Sequence, residues 1–251
     1  MSRILSGKVA LVTGGSRGLG AVLAEMLADQ GADVAITYVV SAAQADAVVE
    51  RLKAKGVRAI AVQADQEDTA TAGPLMDTVV AELGKLDILI ANAAIAVQGK
   101  LVDDPTLDAV AFDRQWLVNV LGTVAVTRAA AQRISDGGRI VYIGSGLGAR
   151  ALFPGVADYA GTKAAIAGYA RGVQRDLGPR NITVNVVQPG IMPTDMAAGA
   201  ADNLPDAMLD MHPIRRIATL EEVAGAVSYL VSPAGAYTAG AVIDVSGGIL
   251  T

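Results

Sequence analysis

Cysteine is absent from this chain of 251 residues, and histidine occurs only once, as His212. The lack of thiols excludes disulfides, cysteine-ligated zinc and a thiol nucleophile, and a single histidine cannot build a histidine-rich metal site. The sequence therefore predicts no bound metal. Aromatic residues make up only 4% of the chain, although 52% of it is hydrophobic. The core must then consist of valine, isoleucine, leucine and alanine, a composition typical of buried parallel strands covered by alanine-rich helices.

Basic clusters and long apolar runs are also missing. The net charge is −5 and the isoelectric point is near 4.9, whereas nucleic-acid phosphates attract basic patches. No apolar run reaches the ~18 residues that a membrane-spanning helix needs, and the first eight residues lack the hydrophobic region of a signal peptide. We therefore expect a cytoplasmic protein with no nucleic-acid and no membrane partner.

Short apolar segments alternate with longer segments of helical periodicity along the chain. Strands are predicted at 9–12, 33–38, 58–63, 86–91, 139–143, 183–187 and 241–245, and helices at 20–30, 44–55, 71–84, 114–133, 159–177 and 221–230. Such alternation indicates a parallel sheet with right-handed crossovers. We predict an α/β fold in which residues 1–251 form a single domain, a doubly wound seven-stranded parallel sheet with helices on both faces. The irregular stretch at about 191–213 is long enough to be a substrate lid.

A glycine-rich loop follows the first predicted strand and leads into the first helix. Gly14, Gly18 and Gly20 permit a tight turn, close approach of the backbone to a pyrophosphate and close packing of the helix. The helix N-terminus then offers free N–H groups to the anion. This placement favours a dinucleotide site over a turn that binds no ligand.

The second predicted strand indicates which dinucleotide is bound. Sites for NAD carry an acidic residue near the end of this strand, where it holds the ribose 2′-hydroxyl. Here the strand ends in Thr37-Tyr38-Val39-Val40-Ser41, with no carboxylate, and Asp33 lies at its other end. Arg17 in the glycine loop and Ser41 could instead contact a 2′-phosphate. The sequence favours NADP(H) over NAD(H).

Tyr159 and Lys163 lie four residues apart at the start of a predicted helix, so they share one helix face. A tyrosine with a pKa near ~10 needs its pKa lowered by roughly three units, about 4 kcal/mol, to exchange protons readily at neutral pH. A unit positive charge at ~4 Å in an effective dielectric of ~20 supplies about that energy. We therefore expect Lys163 to lower the pKa of Tyr159. Taken alone, the same spacing is also typical of a solvated helix face.

With the glycine loop, this tyrosine–lysine helix and Ser145 upstream, the chain resembles the short-chain dehydrogenase/reductases, most closely the 3-oxoacyl-carrier-protein reductase-like ketoreductases. The likeness runs from Gly7 to Gly248 and implies a Rossmann fold. Three departures stand out. Ala94 replaces a glycine, Gly161-Thr162 replaces Ala-Ser, and the loop between Ser145 and Tyr159 is about one residue longer.

The resemblance implies the catalytic residues and their roles. Ser145 would bind the substrate carbonyl, Tyr159 would donate the proton, Lys163 would also hold the nicotinamide ribose, and Asn119 would position a water that links Lys163 to solvent. Together the loop and the resemblance predict the cofactor-binding residues as Gly14, Ser16, Arg17, Gly18, Leu19, Gly20, Tyr38, Ser41, Asp65, Gln66, Asn92, Ala93, Ala94, Tyr159, Lys163, Pro189, Gly190, Ile191 and Thr194.

The function that follows is an NADPH-dependent reductase that transfers hydride to a ketone or 3-oxoacyl carbonyl and yields an alcohol. An NAD-linked dehydrogenase of a sugar, steroid or polyol is the alternative within enzymes, and a non-catalytic NADP-binding scaffold is the alternative outside them. Methionines in the lid favour an apolar, adaptable substrate pocket. The resemblance also implies a homotetramer built on the small-residue helix at 159–177. Phe112 and Trp116 are predicted to lie in the core.

Overall fold

The structure, a computed structural model, describes residues 3–194, 196 and 206–251. Seven parallel strands form one sheet in the order β3-β2-β1-β4-β5-β6-β7. The strands are β1 (Val9–Val12), β2 (Asp33–Tyr38), β3 (Ala59–Gln63), β4 (Leu86–Ala91), β5 (Ile134–Ile143), β6 (Thr183–Pro189) and β7 (Val242–Val245). The predicted doubly wound sheet is confirmed.

The helices lie between the strands, as expected. They are α1 (Gly18–Asp29), α2 (Ala42–Ala54), α3 (Ala72–Leu83), α4 (Ala109–Trp116), α5 (Thr123–Ala131), α6 (Ala157–Leu177), α7 (Asp206–Asp210) and α8 (Leu220–Val231). None of the helices in the described ranges is long and apolar enough to cross a lipid bilayer.

Two apolar clusters, one on each face of the sheet, form the core. Successive residues of a strand point to opposite faces, and β1 divides accordingly: Ala10 and Val12 belong to one cluster, and Val9 and Leu11 to the other. Helices α1, α2 and α8 cover the first face, and α3, α5 and α6 cover the second. The low aromatic content is therefore explained by helices that pack closely on buried aliphatic strands.

The strand order reverses direction at β1, which has β2 on one side and β4 on the other. In open α/β sheets, ligands bind outside the carboxyl ends of the strands at such a reversal. The loop after β1 is the glycine loop, and the loop after β4 begins with Asn92. The fold therefore places both predicted cofactor loops at the same crevice.

Two segments differ from the predicted boundaries. The helix predicted at 114–133 begins at Ala109 and is interrupted by a π-helical segment, Leu117–Gly122, between α4 and α5. At Gly122 a Cβ atom would lie 2.0 Å from the carbonyl oxygen of Gln66, so only glycine permits this approach. Strand β5 begins at Ile134 rather than 139, and its pairing with β4 shifts register near that end.

Candidate active site

A cleft of about 560 Å³ opens at the strand reversal. Most of the predicted cofactor residues line it, namely Gly14, Ser16, Arg17, Gly18, Leu19, Gly20, Tyr38, Ser41, Asp65, Gln66, Asn92, Ala93, Ala94, Tyr159, Lys163 and Thr194. Residues separated by as much as 180 positions in the sequence therefore meet at one surface.

The glycine loop is held against β2 by two backbone N–H groups. Gly14 donates to the Thr37 hydroxyl at 2.9 Å and Gly15 donates to the Thr37 carbonyl oxygen at 2.9 Å. A Cβ atom at Gly20 would lie 2.1 Å from the Gly14 carbonyl oxygen, so glycine is required where α1 packs on the loop. Helix α1 thus directs its N-terminus, with its partial positive charge, into the cleft.

Asn92 fastens the loop after β4 to the loop after β1. Its amide nitrogen donates to the carbonyl oxygens of Thr13, at 2.9 Å, and Gly14, at 3.2 Å. The Thr13 hydroxyl accepts hydrogen bonds from the backbone N–H groups of Asn92 and Ala93, both at 3.0 Å. Asn92 therefore fixes the shape of the cleft floor, and Ala94 beside it forms part of the wall.

Arg17 and Ser41 meet at the mouth of the cleft. A guanidinium nitrogen of Arg17 donates to the Ser41 hydroxyl at 3.2 Å, and both residues line the cleft with Tyr38. Guanidinium groups suit phosphate geometry, and residues 38–41 hold no carboxylate that would repel one. This corner has the chemistry of a 2′-phosphate site.

Asp65 and Gln66 follow β3 and make contacts within the protein. An oxygen of Asp65 accepts the backbone N–H of Glu67 at 3.0 Å, which is a turn interaction. The Gln66 amide donates to the Val118 carbonyl oxygen at 2.8 Å and so braces the π segment. Nearby, Arg114 pairs with Glu67 at 2.5 Å and lines the cleft. The sequence did not predict this arginine.

Two of the three proposed reacting groups, Tyr159 and Lys163, line the cleft, whereas Ser145 is not among the lining residues. Ser145 follows β5, while Tyr159 and Lys163 lie in the first two turns of α6. Ser145 lies close enough to the Tyr159 phenol to lower its pKa by hydrogen bonding, and its hydroxyl accepts the Leu147 N–H at 3.2 Å. Tyr159 is 8% exposed and Lys163 is 5% exposed. The site combines two hydroxyl groups and one ammonium, and both Tyr159 and Lys163 are largely shielded from solvent.

The expected effect of Lys163 on Tyr159 is corrected by the structure. Burial raises the pKa of Tyr159, and the Ser145 hydrogen bond only partly offsets this. The Lys163 ammonium lies 5.7 Å from the Tyr159 ring centre and donates to the Ile143 carbonyl oxygen at 3.0 Å. Burial lowers the pKa of Lys163 to about 8. Desolvation is therefore the largest cause of both pKa shifts in this structure.

Asn119 ties the loop after β4 to α6. Its side-chain oxygen accepts the Ile95 N–H at 2.8 Å, and its amide nitrogen donates to the Ile95 carbonyl oxygen at 2.9 Å and to the Thr162 hydroxyl at 3.2 Å. Both amide hydrogens are thus used within the protein. The expected water between Asn119 and Lys163 stays a prediction.

Three predicted cofactor residues lie away from the cleft wall. Pro189 ends β6, and Gly190 and Ile191 line a separate cavity of about 290 Å³ that also contains His212. The Gly190 N–H donates to the Val245 carbonyl oxygen at 3.0 Å, which holds this segment against β7. The structure therefore does not bring these three residues together with the rest of the predicted set.

Several lining residues were missing from the predicted set. They follow the ends of neighbouring strands or project from α4, the π segment and the lid, and they are Thr37, Val39, Val40, Ala64, Ile95, Ala96, Arg114, Val118, Ile143, Gly144, Met192 and Met196. Most of them lie at a strand end or within five residues of one, but Arg114, Val118 and Met196 do not. Within the described ranges, no three His, Asp or Glu side chains cluster in a way that could hold a metal ion.

The predicted lid at about 191–213 falls partly outside the described residues, which leave out 195 and 197–205. Leu204 and Pro205 belong to that part. Met192, Thr194 and Met196 line the cleft where the segment leaves β6. The described part of the segment is therefore placed where a cover over the cleft would begin.

Comparison with known proteins agrees with this geometry. Residues 14–250 match the enoyl-(acyl carrier protein) reductase family model. Versicolorin reductase 1 of Aspergillus parasiticus is 38% identical, over 97% of this chain and 97% of its own. Elsinochrome reductase 1 of Elsinoe fawcettii is 37% identical, over 97% and 94%. A short-chain dehydrogenase of Burkholderia cenocepacia, solved in complex with NADP, is 45% identical over 98% and 99%, with a TM-score of 0.92. The chain belongs to the short-chain dehydrogenase/reductase family.

Proposed function

We propose that this chain is an NADPH-dependent carbonyl reductase that converts a ketone or 3-oxoacyl carbonyl into an alcohol. The observation that carries the proposal is the position of Tyr159 and Lys163 in the wall of the cleft, with Ser145 close enough to the phenol to lower its pKa by hydrogen bonding. Two hydrogen-bond donors directed at one point are what a developing alkoxide requires. The reductases among its relatives, and the solved structure with NADP, support the same class.

The residues of the cleft fit an NADP molecule. Arg17 and Ser41 would hold the 2′-phosphate, the glycine loop and the N-terminus of α1 would hold the pyrophosphate, and Lys163 would hold the nicotinamide ribose. NADPH, when bound, supplies the hydride. Because no carboxylate occupies residues 38–41, the NAD-linked alternative receives no support from the cleft.

The protein's own part in the reaction is to orient the carbonyl and to deliver a proton. Ser145 donates a hydrogen bond to the carbonyl oxygen, and Tyr159 transfers its phenolic proton to that oxygen as charge develops there. Because burial raises the pKa of Tyr159, the phenol is protonated at neutral pH. The resulting phenolate is stabilised by the Lys163 ammonium until a proton arrives from solvent.

The substrate side of the site is apolar. Ile95, Ala96, Met192 and Met196 line the cleft, and methionine adapts readily to different apolar surfaces. The segment at about 191–213 acts as the lid over this wall. These features favour ketones and acyl chains over sugars and polyols.

The protein assembles as a homotetramer in this proposal. Leu117 is 38% exposed and Leu121 is 51% exposed beside α4 and α5. On α6, Ala164, Gly168 and Gly172 form an exposed row of small residues, which permits close approach of another helix. Light scattering tests the assembly, and a particle of ~25 kDa would refute it.

The reductase proposal is tested by following NADPH absorbance with a panel of cyclic ketones, aryl ketones and 3-oxoacyl thioesters. Turnover with NADPH, and much slower turnover with NADH at equal concentration, is the expected result. Equal rates with both nucleotides would favour the NAD-linked alternative. Tight NADPH binding without oxidation of any panel member would favour the non-catalytic scaffold.

A further inference from the structure

The indole of Trp116 connects the end of α4 to the first turn of α6. Its ring N–H donates to a carboxylate oxygen of Asp158 at 2.8 Å, and Asp158 directly precedes Tyr159 in the chain. Contrary to the prediction of a core position, Trp116 is 37% exposed, whereas Phe112 is buried. This hydrogen bond therefore links a partly exposed tryptophan to the residue that precedes the proposed proton donor.

The ring of the same tryptophan lies on the backbone of α6. A Cβ atom at Gly161 would lie 3.0 Å from Cη2 and Cζ2 of Trp116. The glycine that departs from the family pattern is therefore matched to the tryptophan, because an alanine at 161 would press against the ring.

Helix α6 has no side-chain cap at its start. Its N-cap residue, Val156, makes no side-chain capping hydrogen bond, although helix N-termini usually rely on such a cap. The negative charge of Asp158 also interacts favourably with the positive end of the helix dipole. The Trp116–Asp158 bond thus restrains a first helical turn that has no side-chain cap.

A second connection begins at Asn119, three residues after Trp116 in the chain. Asn119 donates to the Thr162 hydroxyl at 3.2 Å, and that hydroxyl donates to the Tyr159 carbonyl oxygen at 2.8 Å. Asn119 lies within the π-helical segment that follows Trp116, and π segments often occur at functional sites. Trp116 and Asn119 therefore hold the same turn of α6 from one side.

We propose that Trp116, Asp158 and Gly161 form a positioning lock that keeps the Tyr159 phenol in contact with Ser145. This inference rests on the proposed reductase function, because it assigns the lock to the orientation of that proton donor. Trp116 and Asp158 touch neither cofactor nor substrate in the proposal, and they act through the backbone of α6.

The first test removes the Trp116–Asp158 hydrogen bond. Trp116→Phe keeps an aromatic ring but has no N–H donor, and Asp158→Leu has no acceptor. We expect each to lower kcat about threefold to tenfold while the Kd for NADPH stays within twofold of wild type. Asp158→Asn keeps an acceptor oxygen and should lose less than twofold. Equal losses in Asp158→Leu and Asp158→Asn would overturn the hydrogen-bond part of the lock.

The second test is a double-mutant cycle on the matched pair. Gly161→Ala should lower kcat in the wild-type background because the added methyl meets the indole, and it should cost at least threefold less in a Trp116→Leu background, where the space is open. Neighbouring residues that act together show such non-additive effects. Additive effects of the two substitutions would overturn the matched-pair assignment.

A pH profile separates positioning from a general loss of stability. The Ser145 hydrogen bond lowers the pKa of Tyr159, so a loosened α6 start should raise that pKa. Alcohol oxidation requires the phenolate, and we expect its rate profile in Trp116→Phe to move to higher pH by about half a unit. An unmoved profile would refute the positioning role. Light scattering on each variant checks that its oligomeric state is the same as that of the wild type.

The outcomes also separate this inference from the reductase proposal. If the wild-type chain oxidises no NADPH with any carbonyl compound, the proposed function fails. If the wild type is active and Trp116→Phe matches its kcat and pH profile, only the lock fails.

Discussion

The Lys163 ammonium lies 5.7 Å from the centre of the Tyr159 ring, and its hydrogen bond goes to the backbone rather than to the phenol. Burial raises the pKa of the tyrosine and lowers that of the lysine to about 8. At neutral pH the phenol therefore keeps its proton and the ammonium keeps its charge. This state suits the reduction direction, whereas alcohol oxidation, which starts from a phenolate, should be favoured at high pH.

Removal of the phenolic hydroxyl tests the proton donor. Tyr159→Phe should lower kcat by roughly 10²–10⁴-fold, the usual contribution of general acid catalysis, without weakening NADPH binding. Binding is read from the fluorescence of Trp116, the only tryptophan. Tyr169→Phe is the matched control on the same helix, since Tyr169 is only half-buried and packs against Tyr142 outside the cleft. A Tyr159→Phe enzyme with near wild-type rate would reject the assignment.

The rate of reduction should depend on the charge of Lys163. With a pKa of about 8, this group is an ammonium at pH 6.5 and mostly neutral at pH 9. We expect kcat/KM, which reports the free enzyme, to be level at low pH and to fall by about tenfold per pH unit above about 8. A Lys163→Arg variant should lack this alkaline fall, since a guanidinium stays charged. A level wild-type profile up to pH 10 would contradict the prediction.

The same lysine should make the stability of the cofactor-free protein depend on pH. Its pKa is about 8 when folded and 10.5 as a model value, so between these values the unfolded chain binds more protons and stability rises with pH. The destabilisation caused by burial of the lysine charge is therefore absent above pH 10.5 and is fully present below about pH 8. We expect the Tm of Lys163→Met to gain on wild type most at pH 7, with the advantage shrinking towards pH 10.

Lys53→Met is the control for that comparison. Lys53 is half exposed and pairs with Glu50 on α2. Its Tm difference from wild type should stay level between pH 7 and pH 10. A Lys163→Met difference that is just as level would show that burial does not perturb Lys163.

Arg17 should discriminate NADPH from NADH. A hydrogen bond to a charged group is worth about 1.5–3 kcal/mol, so Arg17→Ala should raise the Kd for NADPH by about 10–100-fold. NADH lacks the 2′-phosphate, and its Kd should change by less than about threefold. Arg51→Ala serves as the control, because Arg51 pairs with Glu25 away from the cleft. Equal losses for both nucleotides would remove Arg17 from the 2′-phosphate site.

Two glycines in helical segments should respond oppositely to alanine. At Gly122 the added Cβ would meet the Gln66 carbonyl oxygen at 2.0 Å, and overpacking of this kind costs about 1–3 kcal/mol or more. At Gly225, exposed on α8, an added Cβ atom would meet nothing within 4 Å apart from the neighbouring backbone of its own helix. There alanine should stabilise the protein by about 0.5–1 kcal/mol. Urea unfolding measures both, and a Gly122→Ala protein as stable as wild type would contradict the predicted clash.

The sequence predicts the elements of this fold well where periodicity is local. Six of the seven strands begin within one residue of their predicted positions, because each is a short apolar run bounded by polar or glycine-rich segments. The π segment Leu117–Gly122 could not be predicted, since it follows from the approach of Gly122 to Gln66, a contact between residues 56 positions apart. The early part of β5 was missed because Gly137 and Gly138 are typical of a loop.

In the candidate site, too, the sequence predicts what depends on local spacing and misses what depends on contacts between distant residues. Spacing predicts that Tyr159 and Lys163 share a helix face, but the direction of their pKa shifts depends on how deeply the sheet buries them. Arg114 carries no sequence signal, because its place at the cleft follows from the position of α4 beside the loop after β3. Gly190 was expected at the cofactor, yet it lines the other cavity, and its N–H donates to a carbonyl oxygen of β7.

The strand order has a consequence for how the protein is made. Strand β1 finds its first neighbour, β2, within 30 residues, but its second neighbour, β4, begins only at Leu86. A nascent chain of intermediate length therefore leaves the ribosome with an open apolar edge in the middle of its future sheet, a surface on which unfinished chains can associate. The nucleotide cannot protect these early chains, because its cradle closes only when Asn92 has emerged and fastened the two loops.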